Sequence, residues 1–190
     1  SRSAADRFIN LHPRHPHTSY AYYIRGLSSF TDDSGLFNRY FVSDLSKRDM
    51  GPAQNSFDDL SEFLSRYPES KYAPHAKQRM IYLRNLLAKH EMYVADFHMK
   101  RGAYLAALGR AKYVIEHIPN TPQTPFALSV LVEAYGKLNY QELKQSNLEV
   151  LKSNFPEFAI KVDTASGKRS WVNVISLGVF GDKGIPAPDA

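Results

Sequence analysis

Residues 102–119 read GAYLAALGRAKYVIEHIP, and this stretch decides the fold. Gly102 supplies a turn between two helices, Tyr104 opens the second helix, and Ala107 is the small residue at which the two helices approach closely. Ala111 and Val114 are three apart, so they lie on one helical face and can pack on the preceding helix. Pro119 then ends the helix, because proline disfavours helical geometry in the residue before it.

The same ending occurs three more times, as FINLHP at Pro13, FLSRYP at Pro68 and VLKSNFP at Pro156. Five residues before each proline stands an apolar residue (Phe8, Phe63, Val114, Leu151), and eight before it a small or apolar one (Ala5, Leu60, Ala111, Leu148). The chain is therefore repeating a helical hairpin. The prolines are 55, 51 and 37 residues apart. A tetratricopeptide (TPR) unit is about 34 residues, so the last unit is nearly standard and the earlier two carry insertions. The expected fold is all-α, a TPR-like solenoid of helical hairpins with an inserted loop, one long helix and a C-terminal tail. Its parts are 1–13, the second helix of a truncated repeat; 14–68, a repeat with an inserted loop; 69–119, a repeat with a long first helix; 120–156, a further repeat; and 157–190, an extension.

Within 14–68, a helix over about 17–30 leads into TDDSGLFNRYFVSDLSKRDMGP, a loop by its Asp, Ser and Gly content, with the second helix over about 53–66. No Gly or Pro falls between Pro74 and Gly102, and Ala76, Met80, Leu83, Leu87, Val94 and Phe97 form a helical stripe. One helix of roughly 28 residues, about 42 Å long, is predicted there. Helices over about 124–137 and 140–153 complete the last unit.

Composition narrows the function. Hydrophobic residues at 43% and charged residues at 23% are ordinary for a globular chain. The net charge of +5 is spread along the sequence, whereas a nucleic-acid binder more often gathers its basic residues in a stripe. The absence of cysteine excludes disulfides, thiolate nucleophiles and Cys-ligated zinc for this sequence. No GxSxG, HExxH or GxxxxGK[ST] occurs, so the reading is non-catalytic, with no cofactor and no metal. His12, His15 and His17 in HPRHPH are the nearest approach to a metal cluster, but their proline-rich link lacks the rigid frame zinc prefers. They read as a solvated repeat junction.

The unequal repeats, the insert ending FVSDLSKRD, the flanking RFINLHPRHPHTSYAYYIRGL and SEFLSRYPESKY, and the run LAKHEMYVADFHMKRGAYLAALGR together resemble the BamD family of TPR lipoproteins, over about residues 4–156. The resemblance implies a scaffold at the periplasmic face of the outer membrane, lipid-anchored through an N-terminal Cys in the full-length protein. It implies binding of the POTRA region of BamA through the C-terminal repeats. The N-terminal repeats would meet unfolded outer-membrane protein substrates and, where present, BamC and other assembly-complex lipoproteins. Against that family the sequence is expected to be truncated, starting in the second helix of repeat two without the anchor or first repeat.

Candidate partner-binding residues follow. Tyr20, Tyr22, Tyr23 and Arg25 cluster on the first helix of a repeat, the helix that lines the concave face of a TPR array. Tyr and Arg favour interfaces because they bury large areas yet keep a polar handle. Packing between helices is the competing role, and at least one Tyr must fill it. In the insert, Asp44, Lys47, Arg48 and Asp49 either meet a partner or cap the next helix and neutralise one another. Arg110 should point away from the stripe marked by Ala107 and Ala111; the resemblance places it on the BamA-facing surface. Two other functions compete: an unrelated periplasmic TPR adaptor, and a helical repeat that binds nucleic acid, which steep salt dependence would reveal.

The tail contains WVNVISLGVF at 171–180. On a helical wheel Trp171, Val172, Val174, Ile175 and Val179 share one broad side, although β-branched residues leave a strand open. Ten residues cannot span a bilayer. Trp171, Val174 and Ile175 are expected to dock, either on the last repeat as a cap or in a partner's groove. Lipid adsorption helped by Lys168 and Arg169 is the rival.

Overall fold

The computed structural model describes residues 2–30, 45–156 and 158. Among them are seven α-helices and one short 3-10 turn: α1 (Arg2–Leu11), α2 (Thr18–Ser29), the turn Leu45–Lys47, α3 (Gly51–Arg66), α4 (Ala73–Lys100), α5 (Tyr104–His117), α6 (Thr124–Lys137) and α7 (Gln141–Asn154). The described residues hold no strand. The chain is all-α and TPR-like, as expected, and α4 has the anticipated 28 residues.

The repeated endings are one hydrogen-bonded device. The amides of His12, Tyr67, Ile118 and Phe155 donate to the carbonyls of Phe8, Phe63, Val114 and Leu151, at 2.9, 2.9, 3.1 and 2.8 Å. Tyr67, Ile118 and Phe155 have left helical geometry, with φ of −134°, −128° and −139°, as the following prolines require. Two residues beyond the proline a carbonyl accepts from the amide five beyond it: His15 from Thr18, Ser70 from Ala73 and Thr121 from Thr124. Eight beyond come Ala21, Ala76 and Ala127, all buried. The α4–α5 turn rests on Gly102, whose φ of +74° would be strained for a residue with a Cβ.

The chain forms two compact units that divide inside α4, between Leu87 and Ala88. In the first, α1 packs on α2 and α2 on α3. Its core includes Ile9, Ala21, Tyr22, Tyr23, Leu60, Phe63, Ala76, Leu83 and Leu86. The α2–α3 crossing is close at Gly26, where Ser56 Oγ donates to the Gly26 carbonyl at 2.7 Å. A Cβ on Gly26 would lie 2.6 Å from Leu60 Cδ2.

In the second unit α6 packs on both α5 and α7. Being covered on two sides, it buries almost every residue from Pro125 to Tyr135. Val94 and Phe97 depart from the expected stripe: Phe97 is exposed, and Ala88, Met92, Ala95 and Met99 are the buried positions of this part of α4. With 3.6 residues per turn a fixed stripe drifts around a long helix, and small alanines rather than the larger Val94 and Phe97 face the close contact.

Candidate functional site

The first unit carries a groove of about 940 Å³. Ala4, Ala5 and Phe8 of α1 form one side, Tyr20 and Ile24 of α2 another, and Tyr72, just before α4, a third. The lining is mostly apolar, with Lys71 at one edge. Tyr20 and Tyr72 rings lie 5.2 Å apart, and Tyr23 stacks on Tyr72 at 4.8 Å with an interplanar angle of 11°. Behind that stack, Tyr23 Oη and His75 Nδ1 share a hydrogen bond of 2.7 Å. Burial, then the neighbouring Tyr20 and Tyr72, push the Tyr23 hydroxyl above its ordinary pKa, so it stays neutral.

These placements correct the expected tyrosine cluster. Tyr20 is 44% exposed and belongs to the groove wall, whereas Tyr22 and Tyr23 are buried in the core. Adjacent residues on a helix point in different directions, so three tyrosines in four positions cannot all face one groove. Arg25 is no groove residue either. Its guanidinium pairs with Glu62, with Asp59 at 3.2 Å and with Asp6 at 3.6 Å. It also lies over the Tyr22 ring at 4.9 Å. Asp59 in turn takes Arg2 at 2.6 Å. This ionic cluster ties α1, α2 and α3 together.

Of the insert residues, Asp44 lies outside the described residues. Lys47, Arg48 and Asp49 are exposed. Asp49 Oδ1 accepts from the Gly51 amide at 3.0 Å, satisfying an orphan donor at the start of α3. Trp171, Val174 and Ile175 also lie outside the described residues. His12, His15 and His17 stand in the α1–α2 link, with neighbouring ring centroids 6.3 and 5.3 Å apart.

The second unit presents Arg110 as its pattern foretold. Ala107, Leu108, Ala111 and Val114 bury one side of α5. Arg110 lies off that side, its side chain 48% exposed. Its Nη1 donates to Glu91 Oε2 of α4 at 3.2 Å. A guanidinium has five N–H donors, so the pair with Glu91 orients Arg110 without exhausting it. Glu91, His98, Ala106, Gly109, Arg110 and Tyr113 line a shallow concavity of about 530 Å³. Leu105 is well exposed beside it, and Tyr113 stacks on His117 at 4.7 Å. Sequence reading missed Tyr72 and Glu91, which reach their sites only through packing between different helices. Gly109 carried a signal, being a glycine inside a helix where alanine is more favourable by about 1 kcal/mol. A Cβ there would meet nothing within 4 Å.

Comparison with known proteins matches residues 1–151 to the YfiO family, described as outer membrane lipoproteins. Similar proteins include the outer membrane protein assembly factor BamD of Neisseria gonorrhoeae, 41% identical over 82% of this chain and 58% of that protein. BamD of Xylella fastidiosa strain Temecula1 is 39% identical over 82% of this chain and 53% of its own length. BamD of Vibrio cholerae is 32% identical over 78% and 62%. The chain thus spans little more than half the length of these relatives. With the repeated helical hairpins and a profile match over most of its residues, the chain belongs to the YfiO family of outer membrane lipoproteins, among whose members are the BamD assembly factors.

Proposed function

We propose that this chain is a non-catalytic scaffold of outer-membrane protein assembly, binding the POTRA region of BamA through the Arg110 surface of α5. The observation that carries this reading is the half-exposed Arg110, held toward solvent by Glu91 beside exposed Leu105 and Tyr113. An Arg flanked by an aromatic and an aliphatic side chain is the composition of an interface anchor. The names of the relatives support a role in assembly. BamC and other lipoproteins of the complex are further partners in this reading. The scaffold works at the periplasmic face of the outer membrane, held by the lipid anchor of the full-length protein. No helix among the described residues is long and apolar enough to cross a membrane. The apolar groove walled by Tyr20 and Tyr72 is the proposed seat of unfolded substrate segments, since it offers aromatic area without buried charge.

Binding of the chain to the POTRA fragment of its cognate BamA tests the reading. Arg110→Glu is expected to weaken binding by about 2 kcal/mol or more if the guanidinium is desolvated at the contact, and mainly to slow association if it sits on the rim. Helicity should be unchanged, because Arg110 is outside the core. Unchanged affinity at low salt removes Arg110 from the interface.

A further inference from the structure

Glycine inside a helix lowers the helix equilibrium about fivefold relative to alanine, so each such glycine marks a place where a Cβ is unwelcome. Among the described residues three glycines stand inside helices beyond the first turn: Gly26 of α2, Gly109 of α5 and Gly136 in the last turn of α6. None of them has the positive φ that calls for glycine, which among the described glycines only Gly102 has. Two are accounted for by a neighbour on another helix. Leu60 of α3 lies 2.6 Å from where a Gly26 Cβ would stand, and the Lys144 stem of α7 lies 3.4 Å from the equivalent point at Gly136. At Gly109 a Cβ would meet no described atom within 4 Å. Neither backbone conformation nor a described neighbour accounts for this glycine.

The surroundings of Gly109 have the form of a socket. Leu105, Gly109 and Tyr113 are spaced four apart, one above another on the same side of α5. Leu105 is 68% exposed and Tyr113 41% exposed, so two large side chains flank a gap. Ala106 adds only a methyl group to the lining, and the Arg110–Glu91 pair at 3.2 Å closes one edge. Floor and flanks are apolar, and the charges at that edge already answer one another. An aliphatic side chain entering there strands no polar group. Gly109 and Arg110 line the same concavity, so a partner that docks on Arg110 also covers Gly109.

We infer, on the reading that the Arg110 surface meets the POTRA region, that Gly109 is the floor of a socket for one protruding aliphatic side chain of that region, held between Leu105 and Tyr113. Gly109 thereby sets how closely the partner approaches α5, as Gly26 sets the approach of α3 to α2 within the chain. The weaker helix is offset on binding by dispersion contacts that a Cβ would keep apart.

Gly109→Ala separates what the partner needs from what the chain needs. Alanine should slow hydrogen exchange of the α5 amides by up to about fivefold, since the methyl enters open space. Binding to the POTRA fragment of the cognate BamA is measured on the whole chain by isothermal titration calorimetry. It should weaken about tenfold for Gly109→Ala and further for Gly109→Leu, the scale of overpacking at a close contact. Weaker binding by a more stable chain cannot come from misfolding. Arg110→Glu is measured alongside. If Arg110→Glu weakens binding and Gly109→Ala does not, the socket is overturned and the Arg110 surface stands. If neither variant changes the affinity, the POTRA reading fails and the socket with it. Faster exchange in Gly109→Ala would mean that the chain itself requires the glycine, and overturns the inference too. So would sedimentation showing a dimer of the unmodified chain that Gly109→Leu dissociates, which assigns the socket to a second copy.

Discussion

Gly26 holds α2 against α3, and Gly26→Ala tests how tightly the groove-bearing unit is packed. The added Cβ would fall 2.6 Å from Leu60 Cδ2, 2.7 Å from Leu60 Cγ and 3.2 Å from the Leu60 amide nitrogen. Non-bonded carbon pairs settle near 3.5–4.0 Å, so relief needs a shift of roughly 1 Å. Leu60 is fully buried and cannot swing into solvent, and its backbone contact ties any shift to α3 itself. Overpacking of this kind costs up to about 3 kcal/mol. Alanine recovers about 1 kcal/mol of helix propensity over glycine. The net expectation is a destabilisation of about 2 kcal/mol. Hydrogen exchange of peptides from α2 and α3, read by mass spectrometry, reports that loss locally, which matters because a chain of two units need not unfold in one step. Leu60→Ala makes room for the methyl. Alone it should cost about 2–5 kcal/mol; on the Gly26→Ala background it should cost less, with a coupling of about 1 kcal/mol or more. Wild-type protection in Gly26→Ala, or strict additivity of the pair, would refute the close-approach reasoning.

Two further predictions concern charge. Arg25→Met keeps the stem of the side chain but leaves Asp59, largely buried, with Arg2 as its charged partner and the Ser29 hydroxyl as a neutral donor at 2.8 Å. Loss of about 2–3 kcal/mol is expected at neutral pH, less than for a wholly buried pair because Arg2 remains. Burial opposes the charge on Glu62, but the hydrogen bond and charge of Arg25, then Arg66, hold its carboxyl below the ordinary range. Its stabilisation is therefore present above the ordinary value and lost as pH falls through the lowered one. The deficit of Arg25→Met, followed by urea unfolding, should shrink in acid; a deficit that stays constant to pH 3 would contradict this. Glu133 of α6 has the opposite sign: burial pushes it up to about 6, against a smaller downward pull from Lys137. The folded state then binds a proton more tightly than the unfolded one, and stability falls as pH rises from the ordinary value of 4.5 to about 6. Glu133→Gln should raise the urea midpoint at pH 7.5 and change it little at pH 4; equal effects at both would show that the carboxyl is not desolvated.

Pattern in the sequence foretold the helices to within a few residues, from the four proline endings to the 28 residues of α4. It also held more than was read from it: Ala21, Ala76 and Ala127 stand eight residues after successive prolines, and all three are buried. Arg110 was legible for the same reason, since Ala107 and Ala111 fix the side of α5 opposite to it. These features are local. A proline acts on the residue before it, and a helix turns at 3.6 residues per turn whatever it packs against.

Tertiary packing decided the rest. It chose Tyr20 for the groove and drew Tyr22 and Tyr23 inside, a choice among side chains of equal hydrophobicity made by where α3 and the start of α4 lie. It turned Arg25 from a candidate contact into the centre of an ionic cluster, because Asp6, Asp59 and Glu62 converge on it from α1 and α3. In α4 it selected Met92, Ala95 and Met99 over Val94 and Phe97. The sequence by itself determined where helices begin, end and repeat, since those follow from hydrogen bonds and steric limits within a few residues. Only the tertiary structure decided which face of each helix is inside and which charges meet, since that depends on groups up to 57 residues apart, as Arg2 and Asp59 are.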